Sequence, residues 1–216
     1  MVVYFIVMFL IISIFLIVWL NYDFDYNIYE CFENEYPINK KSLDYYSENF
    51  GKLRSEIVNL IITSKIRDKK LELDDFKNLI NLKCVNNELE EIILPKNNLI
   101  EKIIVNNSDL HSFSYHLLSF NLTELNISNN NLTGNISIFN KLINLESFYF
   151  HDNDFHGSLN FLINLKKIKV ITFYNNPIVP SLEILSKENL QFLLINYCFI
   201  NLKYEKSKNL FIVIYL

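Results

Sequence analysis

Residues 121–137 read NLTELNISNNNLTGNIS, and the spacing of the leucines and asparagines in this stretch decides the fold. Leu125 and Ile127 are apolar at alternate positions, Asn130 follows, and Leu132 closes an eight-residue frame, L-x-L-x-x-N-x-L. Alternation of apolar and polar residues over a short stretch predicts a strand with one buried face. The frame therefore predicts a short strand, a turn that contains an asparagine, and a return of the chain into the core.

The same frame recurs along the chain. Successive frames begin 21, 22, 23, 23 and 22 residues apart, and they are LKCVNNEL (82–89), IIVNNSDL (103–110), LNISNNNL (125–132), FYFHDNDF (148–155), ITFYNNPI (171–178) and LLINYCFI (193–200). A degenerate frame begins at Leu60, and NLFIVIYL at 209–216 begins another frame that is incomplete. One such strand cannot bury its own apolar face, so a period of this length predicts stacked repeats with a continuous core.

These frames resemble the repeats of leucine-rich repeat proteins of the receptor-like, extracellular type, with about seven repeats of 21–23 residues. The segments LTGNIS and FHGSL are also similar to the second half of the plant-type repeat. The resemblance implies an α/β solenoid, with a curved parallel sheet on the concave face and an irregular or short helical convex side. The resemblance is specific for the fold and says little about function, which depends on the residues of a site.

The asparagine of the frame has a structural explanation. The turn after each strand leaves backbone donors and acceptors inside the solenoid, and an amide side chain can satisfy both kinds of group. We therefore predict a ladder of buried amides, in which Ser108 and Cys198 replace asparagine in two repeats. The predicted ladder asparagines are Asn87, Asn130, Asn153 and Asn176.

A second set of asparagines lies in N-x-S/T sequons. Such a site accepts a glycan only if the chain enters the secretory lumen and the side chain is exposed. The alternative is that a chain rich in Asn, Ser and Thr forms sequons through composition alone. The five predicted glycosylation sites fall within 30 residues and are Asn106, Asn121, Asn126, Asn131 and Asn135.

The N-terminal stretch differs from the rest of the chain. Residues 2–20 are uncharged and apolar, and at roughly 1.5 Å per residue they can cross a hydrocarbon layer of roughly 30 Å. No lysine or arginine precedes Lys40, so no positive charge holds the following residues in the cytosol. We predict that residues 1–20 are a signal anchor or signal peptide and that the body is extracellular, lumenal or secreted. A buried core helix is the alternative.

The predicted domains follow from these segments. Residues 21–59 form an N-terminal cap, which we expect to be partly helical because apolar residues recur at helix-like spacing in 43–57. Residues 60–216 form the leucine-rich repeats, of which the last is incomplete. Cys31 lies alone in the cap, and the stacking of the repeats separates Cys84 from Cys198 far beyond disulfide reach.

Composition and motifs argue against several functions. The formal net charge is −4 and the lysines are scattered, which argues against nucleic acid as a partner. The chain has no P-loop, nucleophile elbow, HExxH or CxxC motif, so we expect neither an enzyme nor a cofactor. HDNDFH at 151–156 suggests a metal site, but the frame turns Asn153 and Phe155 inward and separates His151 from His156. We therefore expect no bound metal.

The candidate ligand surface is the C-terminal half of the concave face. Glycans on Asn106 and Asn126 would shield the other half, because both residues hold outward positions. Tyrosines beside polar residues are typical of protein-recognition surfaces, although tyrosine is also an ordinary residue of sheet faces. The predicted ligand-binding residues are Tyr149, His151, Asp152, Thr172, Tyr174, Asn196 and Tyr197.

The sequence thus predicts a non-catalytic recognition module that is membrane-anchored through residues 2–20 or secreted. It binds a protein or peptide on its concave face. Two alternatives stay open: an intracellular scaffold tethered to a membrane, and a fragment of a longer leucine-rich repeat receptor that carries a signalling domain.

Overall fold

The computed structural model describes residues 31–32, 53–62, 69–96, 99–179, 189–196 and 211–215. Within these ranges, no helix has the length and apolar character needed to span a membrane. The membrane segment predicted at 1–20 lies outside the described residues, as does most of the predicted cap.

One long sheet of parallel strands organises the fold, and we call it the main sheet. It has nine strands, and consecutive strands in the order below are paired in parallel. The strands are β1 Cys31–Phe32, β2 Asn59–Ile62, β4 Asn81–Cys84, β6 Lys102–Ile104, β8 Glu124–Asn126, β10 Ser147–Tyr149, β12 Val170–Thr172, β14 Phe192–Asn196 and β15 Phe211–Tyr215.

The register of the main sheet follows the sequence frame. Leu82 pairs with Ile103, Ile103 with Leu125, Leu125 with Phe148, and Phe148 with Ile171. Each of these residues is the first of its frame, and all are buried. A slip of one residue would turn every apolar side chain to the other face of the sheet. The predicted solenoid of stacked repeats with a parallel sheet is therefore correct.

The opposite side of the solenoid differs in part from the irregular or short helical side that was predicted. It has two further sheets of three parallel strands each. Their strands are β3 Lys70–Glu72, β5 Glu91–Ile93 and β7 Ser112–Phe113 in one sheet, and β9 Thr133–Asn135, β11 Asp154–Ser158 and β13 Ile178–Val179 in the other. Short 3-10 helices complete the described part of this side: η1 Arg54–Glu56, η2 Tyr115–Leu117, η3 Ile136–Lys141 and η4 Leu159–Asn164.

Local sequence explains why β9 and β11 are extended. Thr133, Gly134 and Asn135 are poor helix formers, so this segment has little tendency to close a helical turn. Gly134 and Gly157 adopt φ of 125° and 112°, a backbone conformation that residues with a side chain rarely adopt. A Cβ on Gly157 would lie 2.9 Å from Oδ1 of Asn135. Gly157 thus allows the close approach of the preceding repeat, whereas Gly134 is required only for its backbone conformation.

A single apolar cluster runs through the described repeats, from Ile57 to Leu193. Its centre is aromatic: the Phe148 and Phe150 ring centroids are 4.4 Å apart, and Phe173 stacks on Phe150 at 6.0 Å. Phe139 and Phe155 pack against the same group from the other side of the solenoid. This core occupies one face of the main sheet, so the other face, which we call the open face, presents its side chains outward.

The described parts of the predicted N-terminal cap contribute to the same architecture. Strand β1 pairs with β2, with Cys31 beside Ile61 and Phe32 beside Ile62. Between them, η1 precedes the first repeat, and Ile57 after it enters the core. The cap thus adds a strand to the main sheet. Of the helical segment predicted at 43–57, residues 43–52 lie outside the described residues, and the described remainder contains only the 3-10 helix η1.

Candidate recognition surface

The buried asparagines determine how the strands end, and Asn130 shows the arrangement. Its Nδ2 donates to the carbonyl oxygens of Val105 at 2.9 Å, Ile127 at 3.0 Å and Ser128 at 3.0 Å. Its Oδ1 accepts from the backbone N–H of Leu110 at 3.2 Å. One amide therefore satisfies backbone groups of its own repeat and of the preceding repeat.

Asn153 and Asn176 repeat this arrangement one and two repeats further on. Asn153 donates to the carbonyl of Ile127 at 2.9 Å and to that of Phe150 at 3.2 Å, and Asn176 donates to Phe150 at 2.9 Å. Phe155 donates its backbone N–H to Oδ1 of Asn176 at 2.9 Å. The carbonyls of Ile127 and Phe150 each accept from two asparagines, so the amides and carbonyls form a continuous chain across the repeats.

The other predicted ladder positions differ among themselves. Asn87 is buried at the same position of its repeat, and Cys198 lies outside the described residues. The Oγ of Ser108 is buried and has no hydrogen-bond partner within the described part of the chain. A serine side chain is shorter than an asparagine side chain and lacks its second polar atom, so the ladder has a weak rung at this repeat.

The frames did not predict a further row of turn residues. The residue before each ladder position has φ near +50°, a left-handed conformation that asparagine and aspartate tolerate better than most residues. The signal was present as N-N, N-S or D-N pairs in the frames. The turn residues are Asn86 (φ 56°), Asn107 (φ 55°), Asn129 (φ 52°), Asp152 (φ 54°) and Asn175 (φ 53°).

The lead-in N-L-x-x-L contains another row of amides. Asn78 donates to the carbonyl of Ser55 at 2.7 Å, and Asn144 donates to that of Phe120 at 2.9 Å. Asn189 continues the row with a bond of 2.8 Å to the carbonyl of Lys166. Asparagines thus connect neighbouring repeats before several of the main-sheet strands as well as after them.

The sequon asparagines occupy two kinds of position. Asn121, Asn131 and Asn135 are exposed, whereas Asn106 and Asn126 are half-buried. The Oδ1 of Asn126 accepts from the Oγ of Ser128 at 2.7 Å, and Ser128 is itself buried. The exposed sequons therefore offer more room for a glycan than the two outward positions on the open face.

The C-terminal half of the open face brings several of the predicted ligand-binding residues together. Tyr149 pairs with Thr172 in the register of β10 and β12. Two residues after the ends of these strands, the rings of His151 and Tyr174 stack with centroids 4.4 Å apart and planes 16° apart. Parallel neighbouring strands thus place an aromatic cluster across two repeats.

Thr172 lies on the outer face as the frame suggested, but it is covered rather than exposed. Its exposed fraction is 3%, and its Oγ1 lies 2.6 Å from Nδ1 of His151. Burial lowers the pKa of His151 to about 4, although the nearby Asp152 carboxylate opposes this shift. His151 is therefore a neutral imidazole at pH 7. Thr172 is buried beside its ring and does not itself form part of the surface.

Asp152 lies at the turn beside the aromatic cluster. Its Oδ1 accepts from Nδ2 of Asn175 at 2.7 Å, which connects two successive turns. Both residues line a shallow groove of about 400 Å³ at the edge of the main sheet, together with Asn131 and Asp154. A similar groove of about 390 Å³ lies along the turns of the earlier repeats at 86–88, 107–109 and 129. This edge of the solenoid is lined by amides and carboxylates.

Three apolar residues of the same face were not among the predicted ligand-binding residues. Val170, Phe192 and Leu194 hold outward positions on β12 and β14 and are only partly buried. The frame gave the signal, because it places residues on either side of each inward leucine on the outer face. Of the remaining predicted residues, Asn196 ends β14 and Tyr197 lies outside the described residues.

The N-terminal half of the open face has internal polar pairs. Nζ of Lys102 lies 3.7 Å from the carboxylate of Glu124, whose exposed fraction is 7%. Asn81 donates from Nδ2 to Oδ1 of Asn59 at 2.6 Å. These side chains already have partners within the sheet, although two apolar residues, Ile61 and Ile104, also hold outward positions in this half.

Several residues of the HDNDFH segment, and Cys84, make contacts within the fold. His151 contacts Thr172, Asn153 is in the ladder, Phe155 is in the core and His156 is exposed. Over the described ranges, no three or more His, Cys, Asp or Glu residues are grouped so as to hold a metal ion. Cys84 is a free thiol in the core, and burial raises its pKa to about 12.

Comparison with known proteins identifies the fold. No protein-family model matches the chain, and no curated protein sequence gives a significant match. The chain is similar in structure to a leucine-rich repeat protein of Leptospira interrogans, with 16% identity and a TM-score of 0.53 over 65% of this chain and 43% of that one. It is also similar to the plant peptide hormone receptor RGFR1, solved in complex with RGF2, with 24% identity and a TM-score of 0.52 over 65% of this chain and 24% of the receptor.

These similarities and the parallel main sheet show that the chain has the leucine-rich repeat fold. The matched region spans less than half of either of these proteins. The likeness therefore concerns the repeat architecture.

Proposed function

We propose that the protein is a non-catalytic recognition module that binds a protein or peptide on the C-terminal half of its open face, which is the concave face in this fold. The observation that carries the proposal is the contrast between the two halves of that face. In the N-terminal half, polar side chains pair with one another. In the C-terminal half, the stacked His151–Tyr174 pair lies beside partly exposed apolar residues.

The chemistry of this surface supports a polypeptide ligand. A surface rich in tyrosine offers a large, rigid contact area together with hydrogen-bonding groups. Val170, Phe192 and Leu194 add apolar area, and a partner that covered them would remove it from water. The similarity to a receptor whose structure contains a peptide hormone is consistent with such a ligand.

We further propose that the body of the protein is extracellular or lumenal, either anchored through residues 2–20 or secreted, and glycosylated. Support comes from the uncharged segment 2–20 and from the five sequons. The exposed sequons at Asn121, Asn131 and Asn135 are the favoured sites.

A binding experiment tests the recognition proposal. A displayed library of random linear peptides is selected on the purified full-length chain, and the dissociation constants of the selected peptides are measured. We expect Leu194→Ser to weaken binding about tenfold or more, because it removes an apolar contact at the centre of the surface. Lys83→Ser is the matched control, since Lys83 holds the same frame position in the N-terminal half, and we expect it to change binding less than about twofold.

Peptides that bind both variants equally well would contradict the proposed surface.

The proposed location has a separate test in a secretory host, in which gel mobility is compared before and after enzymatic removal of N-linked glycans. A shift that disappears when Asn121, Asn131 and Asn135 are replaced by glutamine supports a lumenal body. Unchanged mobility of the full-length chain would argue against it.

A further inference from the structure

The hydrogen bond between Thr172 and His151 determines which ring nitrogen carries the proton. Thr172 is buried, and Nδ1 of His151, at 2.6 Å, is the only hydrogen-bond partner of its side-chain Oγ1 within the described ranges. A buried hydroxyl that only accepted a hydrogen bond would leave its own hydrogen without an acceptor, which is unfavourable. The hydroxyl therefore donates to Nδ1, and in the neutral imidazole the hydrogen lies on Nε2.

The Nε2 atom is accessible to a ligand. Within the described ranges, the Nε2 atom of His151 neither donates nor accepts a hydrogen bond. It is also not a fully buried atom. Its N–H therefore meets solvent at the open face. Tyr174, stacked on the ring, fixes the direction of this donor, because the imidazole is held both by the stack and by Thr172.

The surrounding charge favours a neutral acceptor in the ligand. Asp152 is the neighbouring residue, and its carboxylate acts on His151. A carboxylate in the ligand would be repelled by Asp152, and a neutral imidazole provides no opposite charge to offset this. A backbone carbonyl oxygen accepts a hydrogen bond and carries no net charge.

We propose that His151 binds ligand directly, donating a hydrogen bond from Nε2 to a backbone carbonyl of an extended peptide whose apolar side chains lie on Val170, Phe192 and Leu194. This inference rests on the proposed recognition function and names the ligand class for the same surface. The peptide crosses the strands β10, β12 and β14, which the register aligns side by side.

The dimensions of the surface fit such a peptide. With strands roughly 4.8 Å apart and a rise of roughly 3.3 Å per residue, the register places His151 roughly 12 Å from Leu194 and roughly 16 Å from Phe192. An extended chain covers 16 Å with about five residues. A peptide of this length reaches from the donor to the apolar residues in one crossing.

Two isosteric variants separate the two ring nitrogens. In His151→Asn, the side-chain amide reaches the position of Nδ1 and keeps a partner for Thr172, but it has no group at the position of Nε2. In His151→Gln, the amide nitrogen reaches the position of Nε2 and can donate there. Both variants lose the ring stack with Tyr174, and only the Asn variant keeps a partner for Thr172. Tighter peptide binding by the Gln variant therefore reports on the donor at the Nε2 position.

The probe is the set of linear peptides selected on the purified full-length chain. We expect these peptides to bind His151→Gln about fivefold or more tightly than His151→Asn, since one neutral hydrogen bond separates the two variants. A scan in which each peptide bond is replaced by a thioamide, whose sulfur is a weaker acceptor, identifies the carbonyl. One thioamide position should weaken binding to the wild-type chain and leave binding to His151→Asn unchanged.

The outcomes distinguish this inference from the proposed function. Equal affinity of the Asn and Gln variants, with binding still weakened by Leu194→Ser, would overturn the role of His151 and leave the recognition surface in place. Selected peptides that ignore Leu194→Ser, or a library that yields no binder, would overturn both. If His151→Asn does not fold by circular dichroism, His151→Phe keeps an aromatic ring beside Tyr174, and unchanged affinity of that variant overturns the inference.

Discussion

Asn153 donates from Nδ2 to the carbonyl oxygen of Ile127, 26 residues earlier in the chain, at 2.9 Å. The same nitrogen lies 3.2 Å from the carbonyl of Phe150 in its own repeat. One side chain thus joins the ends of two neighbouring main-sheet strands. This contact explains why an asparagine follows each strand in the frame, because a leucine at this position would leave several buried carbonyls without a donor.

Replacement of Asn130 by leucine should destabilise the protein strongly. Asn130 is buried and makes hydrogen bonds to Val105, Ile127, Ser128 and Leu110. We expect the free energy of unfolding to fall by about 3 kcal/mol, since buried backbone groups lose their partner. Denaturant unfolding measures the change. Asn131→Leu, at the exposed neighbouring position, is the control, and an equal loss in both variants would contradict the ladder.

Replacement of Ser108 by asparagine should stabilise the protein. The Oγ of Ser108 is buried without a hydrogen-bond partner within the described residues, at a position where neighbouring repeats have a ladder asparagine. An amide there can reach the backbone groups that the other ladder residues bind, and we expect a gain of about 1 kcal/mol in the free energy of unfolding. The variant also removes the sequon of Asn106, so expression in a host without N-glycosylation is required. Ser137→Asn, at an exposed position, should change stability little, and a loss of stability in Ser108→Asn would argue against the weak rung.

Asn129 should tolerate glycine and reject valine. Its φ is 52°, in the left-handed region, where a β-branched side chain is strained. We expect Asn129→Val to cost about 1–2 kcal/mol in stability and Asn129→Gly to cost only a few tenths of that, since glycine has no Cβ. Thermal unfolding of both variants, with Asn131→Val as a control two residues away, measures the difference. Similar melting temperatures for the valine and glycine variants would be inconsistent with the turn conformation.

The stability of the protein should decrease as the pH falls from 6.5 towards 4. His151 has a pKa of about 4 in the folded chain, because burial disfavours the charged imidazolium, whereas an unfolded histidine titrates near 6.5. Between these values the unfolded chain binds more protons than the folded chain, so acidification favours unfolding. Denaturant unfolding at pH 7 and pH 5 measures the effect. His151→Gln should reduce this pH dependence, while His156→Gln, at an exposed position, should leave it unchanged.

The sequence predicted the period, the buried frame residues and the parallel main sheet because apolar alternation is a local property that stacking preserves. Leu125 and Phe148 are paired in register as the frames align them. The left-handed turns at Asn107 and Asn129 could have been predicted from the paired asparagines, since the tolerance of this residue for positive φ is also local.

Other features depend on contacts between repeats, which one frame does not contain. The burial of Thr172 results from the side chain of His151, which comes from the preceding repeat. The strands β9 and β11 exist because their backbones pair with each other, and a short segment such as Thr133–Asn135 gives little indication of a partner 21 residues away. The frame correctly predicted which side chains lie on the outer face, but neighbouring side chains determine how exposed they are.

Photo-crosslinking can show whether a polypeptide ligand binds the C-terminal half of the open face. A peptide selected on the full-length chain would carry a benzophenone at its central residue, and mass spectrometry would locate the crosslinked residue of the protein. We expect crosslinks to residues of β10, β12 or β14, such as Tyr149, Val170 or Leu194. Crosslinks confined to the 3-10 helices η3 and η4 on the opposite side, or to β2 and β4 at the other end of the sheet, would contradict binding at this surface.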